Sequence, residues 1–425
     1  MNPLYEAMET SVFERMSLAA AKHGAVNLGQ GFPDFGWPEP IIEEAARALR
    51  EGSNQYAPSR GLPALRKAVA GHYRLHHGVE LDAEGVCVTS GATEALAAAI
   101  FATVEPGDEV IVMTPAYDAY APLIRRAGGV VREVALAPPG WRIERDELEA
   151  AVTPRTRAII FNNPHNPTGR LFDLDELEAV ASVARAHDLM VISDEVWEHL
   201  ILDPPRNGEG DRREATVEGG ERSEHEDVGP LHHQARAWRS PSPFRGGFIP
   251  LARLDGMAER TLKCGSAGKI FSLTGWKIGW IAAAPELATL AARAHQFLTF
   301  ASAPNLQAAV AFGLAEGDAW LEPMRREFGR ARDRMQGALE AHGFAVLPSA
   351  ATYFLIVDLA ASGIALDDEA FAKLAVEQAG VAVIPLSPFA EQDPPRYLVR
   401  LCFAKRDETI DAGVAALAKA RNLTK

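Results

Sequence analysis

Over the first 280 residues, short apolar runs alternate with longer stretches in which apolar positions recur every three or four residues. Val86–Thr89, Glu109–Met113, Val130–Val134, Ala158–Phe161, Leu189–Ser193 and Thr261–Cys264 are the short runs. They are rich in Val and Ile and end at turn-forming or charged residues, so each predicts a buried strand. Glu39–Arg50 and Ala64–His76 before the first of them, and Ala95–Val104 and Asp175–His187 between them, predict helices, with Pro63 suited to a first helical turn. Such alternation predicts an α/β architecture, a mainly parallel sheet covered by helices on both faces. Beyond Trp280 the pattern becomes helical over Pro285–Phe297, Pro304–Glu316 and Trp320–His342. Short strands follow near Ala345–Leu347, Tyr353–Asp358, Val381–Ile384 and Tyr397–Phe403, with helices at Glu369–Gln378 and Glu408–Ala420. This second region predicts a smaller α+β domain.

One segment departs from the pattern. Pro204–Gly247 holds eight acidic and seven basic residues and only Val217, Val228 and Leu231 as large aliphatics. With nothing to bury, it reads as a solvated, disordered insertion. Its His232-His233 pair lacks a partner pair at ligand spacing, and no metal site is expected.

Composition narrows the class. A chain of 425 residues with 47% hydrophobic content can bury a core large enough for two domains. A formal net charge of −14 argues against nucleic acid and anionic membrane surfaces as partners. Three scattered cysteines make no disulfide framework and read as buried hydrophobes in a reducing compartment. Met1–Met16 mixes charges through its apolar residues, unlike a secretory signal, and no run reaches membrane length. The expectation is a cytoplasmic protein.

Candidate chemistry gathers at predicted strand ends. Ser266-Ala267-Gly268-Lys269 presents a lysine after a strand, and Lys277 follows on a Gly-flanked aromatic stretch. A neighbouring cation and partial burial lower an amine's pKa and make it a nucleophile. Ser90-Gly91-Ala92-Thr93-Glu94 turns from strand into helix, where free N–H groups and the helix dipole favour an anion. No G-x-G-x-x-G is present there, so a dinucleotide fingerprint is not supported. Tyr117, Asn166, Asp194 and Lys269 all fall just past strand ends, the place where ligands collect in such sheets. Singly, these residues are non-specific; their joint occurrence carries the argument.

The stretches NLGQGFPDF, YAPSRGLPALR, SGATEAL, NNPHNPTG, SDEV, SAGKIFSLTGWKIGW and YLVRLCFAK occur in this order. On them the chain resembles class I pyridoxal phosphate (PLP) dependent aminotransferases of fold type I, in particular the kynurenine, glutamine and methionine aminotransferase branch. The resemblance covers nearly the whole chain except 204–247. It implies a large PLP-binding domain over 46–300 with a mainly parallel seven-stranded sheet. It also implies a small C-terminal domain over 301–425, to which residues 1–45 contribute.

The resemblance further implies roles. Lys269 would be the Schiff-base lysine and proton shuttle, and Asp194 the carboxylate at the cofactor's ring nitrogen. Asn166 would bond the ring 3-oxygen and face the substrate, and Tyr117 would stack on the ring. Ala92, Thr93, Ser266 and Lys277 would hold the phosphate. Tyr56 would reach the phosphate of a neighbouring subunit, so a homodimer with shared sites is implied. Arg400 would grip the substrate α-carboxylate, Gly31 would add a backbone contact, and Phe13 and Phe354 would line the side-chain pocket. Trp197 stands where the family usually has tyrosine.

The activity implied is ping-pong transfer of an amino group from an L-amino acid to a 2-oxo acid. A neutral, aromatic or sulfur-containing side chain is expected, because no second arginine can be placed for a distal carboxylate. Two alternatives stand beside it: β-elimination from cysteine conjugates, and a catalytically inert relative that serves as a binding protein.

Overall fold

The computed structural model describes residues 1, 3–6, 8–202 and 248–425; the polar segment 204–247 lies outside them. Along the chain, β1 (Val26–Asn27) precedes a run of longer strands: β2 (Val86–Ser90), β3 (Glu109–Thr114), β4 (Val130–Ala135), β5 (Thr156–Asn162) and β6 (Met190–Asp194). After the polar segment come β7 (Thr261–Ser266) and β8 (Ile278–Ala282). The C-terminal region adds β9 (Ala345–Leu347), β10 (Phe354–Asp358), β11 (Val381–Ala382), β12 (Ile384–Pro385) and β13 (Leu398–Cys402).

The strands from β2 to β8 form a seven-stranded sheet in the order β2-β8-β7-β6-β5-β3-β4. Only β8 runs against its neighbours β2 and β7; the other pairings are parallel. Side chains alternate across β3 as strand geometry requires: Val110 and Val112 enter one apolar core, Ile111 and Met113 the other. Burial on both faces explains why these strands read as nearly continuous apolar runs.

Local chemistry sets the covering helices. Helix Leu174–Ala186 opens on a capping box, with Asp173 accepting from the Glu176 N–H and Glu176 accepting from the Asp173 N–H; such a cap contributes about 1 kcal/mol. Helix Pro63–His77 has proline in its first turn and ends at Gly78, whose φ of +60° closes the C-terminus.

A four-stranded antiparallel sheet, β12-β13-β10-β9, forms the second core. Helices Leu321–Ala341 and Asp407–Leu423 pack together beside it. β1 pairs parallel with β11, so the N-terminal segment joins the C-terminal region.

The structure corrects two of the expected strands. The single strand expected over Val381–Ile384 is two short strands in different sheets, because the chain leaves β1 at Val383 to reach β13. The strand expected over Thr261–Cys264 continues through Gly265 to Ser266, where Gly265 pairs with Trp280. Lys269 sits on the short helix Ala267–Ile270 that follows at once. All three cysteines are buried and free. Among the described residues, no helix is long and apolar enough to cross a membrane.

Candidate active site

At the carboxyl ends of β3, β5, β6 and β7, a cavity of about 420 Å³ opens between the large sheet and the C-terminal region. Its lining includes every residue singled out from the sequence except Tyr56, which is 88% exposed.

The floor is built from two close backbone approaches. A side chain at Gly279 would come within 2.6 Å of the Gly91 carbonyl carbon, so β8 can lie against the turn that opens helix Gly91–Thr103 only as glycine. Gly91 itself takes φ +76°, and a Cβ there would meet Lys277 Cε at 3.0 Å. The result sets the first N–H groups of that helix, at Ala92 and Thr93, beside Ser266 and Lys277. Lys277 holds a left-handed φ of +54°, a conformation uncommon for residues other than glycine.

Asp194 ends β6 and is buried. Its Oδ2 accepts the Tyr120 hydroxyl at 2.6 Å, and its Oδ1 accepts the Val196 N–H at 3.4 Å. Burial pushes this carboxyl up to about 6, while both hydrogen bonds and the Lys269 charge pull it down. Asn162 braces the same corner: its amide donates to the Asp194 carbonyl and accepts the Asn166 N–H, each at 2.8 Å.

Lys269 Nζ donates to Tyr353 Oη at 2.7 Å, and the Tyr353 hydroxyl donates onward to the Gly31 carbonyl. Burial, together with the charges of Arg400 and Lys277, brings this amine down to about 8. Trp197 contributes its ring: Lys269 Nζ lies 4.5 Å from the ring centroid, a cation–π distance.

Arg400 projects from β13 and is 1% exposed. Its guanidinium lies 3.8 Å from the Phe354 ring centroid and 4.9 Å from that of Phe13. Nη1 donates to Asn166 Oδ1 at 2.8 Å and Nη2 to the Gly29 carbonyl at 3.3 Å. Its Nε, also buried, has no hydrogen-bond partner among the described residues. Burial lowers this group to about 10, so it stays cationic at neutral pH. An arginine edge with a donor to spare is built for an anion such as a carboxylate.

Tyr120 and Tyr353 escaped the sequence reading. Tyr120 opens helix Tyr120–Arg126, three residues after Tyr117, and no sequence pattern marks it as a partner of Asp194. Tyr353 directly precedes Phe354, but its partner Lys269 is 84 residues away in sequence.

A lysine of lowered basicity, a buried carboxylate, a helix start with a nearby lysine and a spare arginine edge form one constellation in one cavity. Comparison with known proteins gives the same answer. The sequence model of the aminotransferase class I and II family matches residues 23–417. The chain belongs to this family. It is a PLP-dependent transaminase of fold type I.

This aminotransferase is 37% identical over 410 residues to the methionine aminotransferase of Escherichia coli, covering 96% of this chain and 95% of that one. It is 32% identical over 437 residues to kynurenine–oxoglutarate transaminase 3 of Rattus norvegicus, covering 96% and 87%. Among solved structures, the N-succinyldiaminopimelate aminotransferase of Mycobacterium tuberculosis superposes with a TM-score of 0.85 at 40% identity, over 98% of this chain and 99% of that one. The cavity's donor set fits the cofactor that such enzymes use: three cations, one buried carboxylate and an N–H cradle that a side chain at Gly91 or Gly279 would crowd.

Proposed function

We propose that this transaminase takes the amino group from L-amino acids with neutral, aromatic or sulfur-containing side chains and passes it to a 2-oxo acid. The observation that carries the reading is the cation count of the cavity. Lys269, Lys277 and Arg400 are its lining cations among the described residues, and each has a task that leaves none for a distal carboxylate. Phe13, Phe32 and Phe354 offer apolar surface instead.

The tasks follow from chemistry. When bound, PLP supplies an electron-withdrawing ring that makes an amino acid's α-proton labile. Lys269 would hold the cofactor through its amine and, with that amine free, would take the proton from the substrate Cα. An amine brought down to about 8 is available as a base near neutral pH. Asp194 would hold a proton on the cofactor's ring nitrogen, and Tyr117 would pack against the ring. Asn166 would bond the ring oxygen, and it accepts a hydrogen bond from Arg400. Ala92 and Thr93 N–H groups, Ser266 and Lys277 would hold the phosphate. Arg400, with Gly31, fixes the substrate carboxylate.

Three further parts belong to this reading. Residues 1–45 join 301–425 in a small domain and 46–300 form the large one, a division that the pairing of β1 with β11 supports. The enzyme works as a homodimer: Tyr56 stacks edge-on with Phe300 on an exposed apolar surface that includes Phe297, and from there it can serve a partner's phosphate. Three free buried cysteines support a reducing cytoplasm.

A second reading comes from the Mycobacterium tuberculosis relative, whose name gives N-succinyldiaminopimelate as substrate. Turnover of a donor panel with several 2-oxo acids, followed by product chromatography, separates the readings. Methionine and aromatic donors should give the highest kcat/KM. Preference for N-succinyldiaminopimelate would refute the proposal, and pyruvate and ammonia without transfer from cysteine conjugates would point to β-elimination.

A further inference from the structure

Directly after Asp194, the chain runs through Glu195, Glu198 and His199 into a buried cluster that faces helix Pro63–His77 and does not line the cavity. Three histidines in the last turns of that helix, His72, His76 and His77, are also buried there. His72 Nε2 and His199 Nε2 are 2.7 Å apart, and His77 Nε2 is 2.9 Å from Glu198 Oε2. One donor atom from each of His72, His77, Glu198 and His199 lies within 4.8 Å of all the others. We propose that these four residues form a buried binding site for a divalent transition-metal ion, zinc first among them.

The chemistry of the cluster supports a cation. Burial holds His72, His77 and His199 below the ordinary histidine range, so their rings are neutral and offer lone pairs. Lys263 bridges Glu195 at 2.9 Å and Glu198 at 2.6 Å, leaving two carboxylates against one ammonium. Buried charge without a counterion is costly, and the excess is relieved by a proton or by a metal. Glu198 Oε1 has no hydrogen-bond partner among the described residues, although the side chain is fully buried. That oxygen is free to ligate while Lys263 keeps Glu195. Three imidazoles and a carboxylate suit zinc, cobalt, nickel or copper rather than magnesium or calcium. Four protein ligands in a closed site are the pattern of a structural ion.

Seating an ion requires the four side chains to move. Zinc bonds of about 2.0–2.1 Å place two tetrahedral ligand nitrogens roughly 3.3 Å apart. His72 and His199 must therefore separate by about half an ångström, and the remaining atoms draw inward. The ion would tie helix Pro63–His77 to the segment that carries Asp194 and Trp197, with a consequence for the rigidity of the catalytic carboxylate. Nothing in this proposal depends on which amino acid the enzyme prefers.

The test uses the full chain with PLP bound, made without a polyhistidine tag and with His232 and His233 replaced by alanine to remove that pair. After chelator treatment and dialysis against zinc, elemental analysis should find one zinc per chain. Competition with a chromogenic chelator should place its Kd below micromolar. Cobalt in its place should give the intense visible bands of a four-coordinate ion. His77→Phe and Glu198→Gln should each weaken zinc binding at least tenfold and abolish the rise in Tm that zinc gives the parent. Should His77→Phe fail to fold, Glu198→Gln carries the comparison. Absence of stoichiometric zinc, or equal affinity in the parent and Glu198→Gln, overturns the site and leaves a hydrogen-bonded histidine cluster.

Discussion

Replacing Tyr120 with phenylalanine removes one hydroxyl and with it the 2.6 Å hydrogen bond to Asp194 Oδ2. The remaining bond to that carboxylate, from the Val196 N–H to Oδ1, is long at 3.4 Å, so the phenol is its main donor. A hydrogen bond to a buried charged group contributes about 1.5–3 kcal/mol. One pKa unit corresponds to about 1.4 kcal/mol, so losing the donor should raise the Asp194 pKa by about one to two units. The sign follows from the linkage. Burial already raises this carboxyl to about 6, so its charged form exists above that pH and is lost below it. Without Tyr120 the loss extends to higher pH. The acid limb of kcat/KM should move up by about one unit or more, cutting activity ~5-fold or more near pH 6 and sparing most of it near pH 9. Cofactor affinity should fall in the same pH window, which a packing defect alone would not produce. A pH profile of kcat/KM for both proteins, with PLP titrated at each pH, decides the matter. An unshifted acid limb in Tyr120→Phe would refute the claim that this hydroxyl keeps Asp194 ionised.

Other consequences are sharper but simpler. Lys269→Ala should lose turnover entirely while the far-UV circular dichroism stays unchanged, since under the proposed function it removes both the cofactor's anchor and the proton carrier. Arg400→Lys keeps the charge but loses the planar fork, at a cost of roughly 2–5 kcal/mol; steady-state kinetics should show KM for amino acids raised ~30-fold or more. Tyr353→Phe removes the acceptor of the Lys269 ammonium, which favours the neutral amine. Cofactor capture by the stripped protein should then reach half its maximal rate about one pH unit lower than in the parent, as read by stopped-flow absorbance.

Much of this site was legible because strands end abruptly. Asp194 follows Leu189–Ser193 and Asn166 follows Ala158–Phe161, so an apolar run followed by polar residues marks both the sheet's edge and the ligand's position. Hydroxyl partners were hidden for the opposite reason. Tyr120 and Asp194 lie 74 residues apart, and only the parallel order of β3, β5 and β6 brings them together. Trp197 stands out in the sequence only as a replacement of the family's usual tyrosine, and the fold is what brings its ring beside the Lys269 amine. The run Val381–Ile384 reads as one strand because alternation cannot reveal that its two halves pair with different sheets. Histidines 72, 76 and 77 sat in plain view on one helix, yet their companions Glu198 and His199 come from the far side of β2 in sequence, and only folding joins them.

Reductive trapping tests the central claim most directly. Borohydride added to the purified enzyme with PLP should fix the cofactor permanently to one lysine, and peptide mass spectrometry then names it. The account predicts a pyridoxyl group on the peptide containing Lys269, with none on Lys277 or Lys263. Modification at another lysine, or no modification at all, would contradict it.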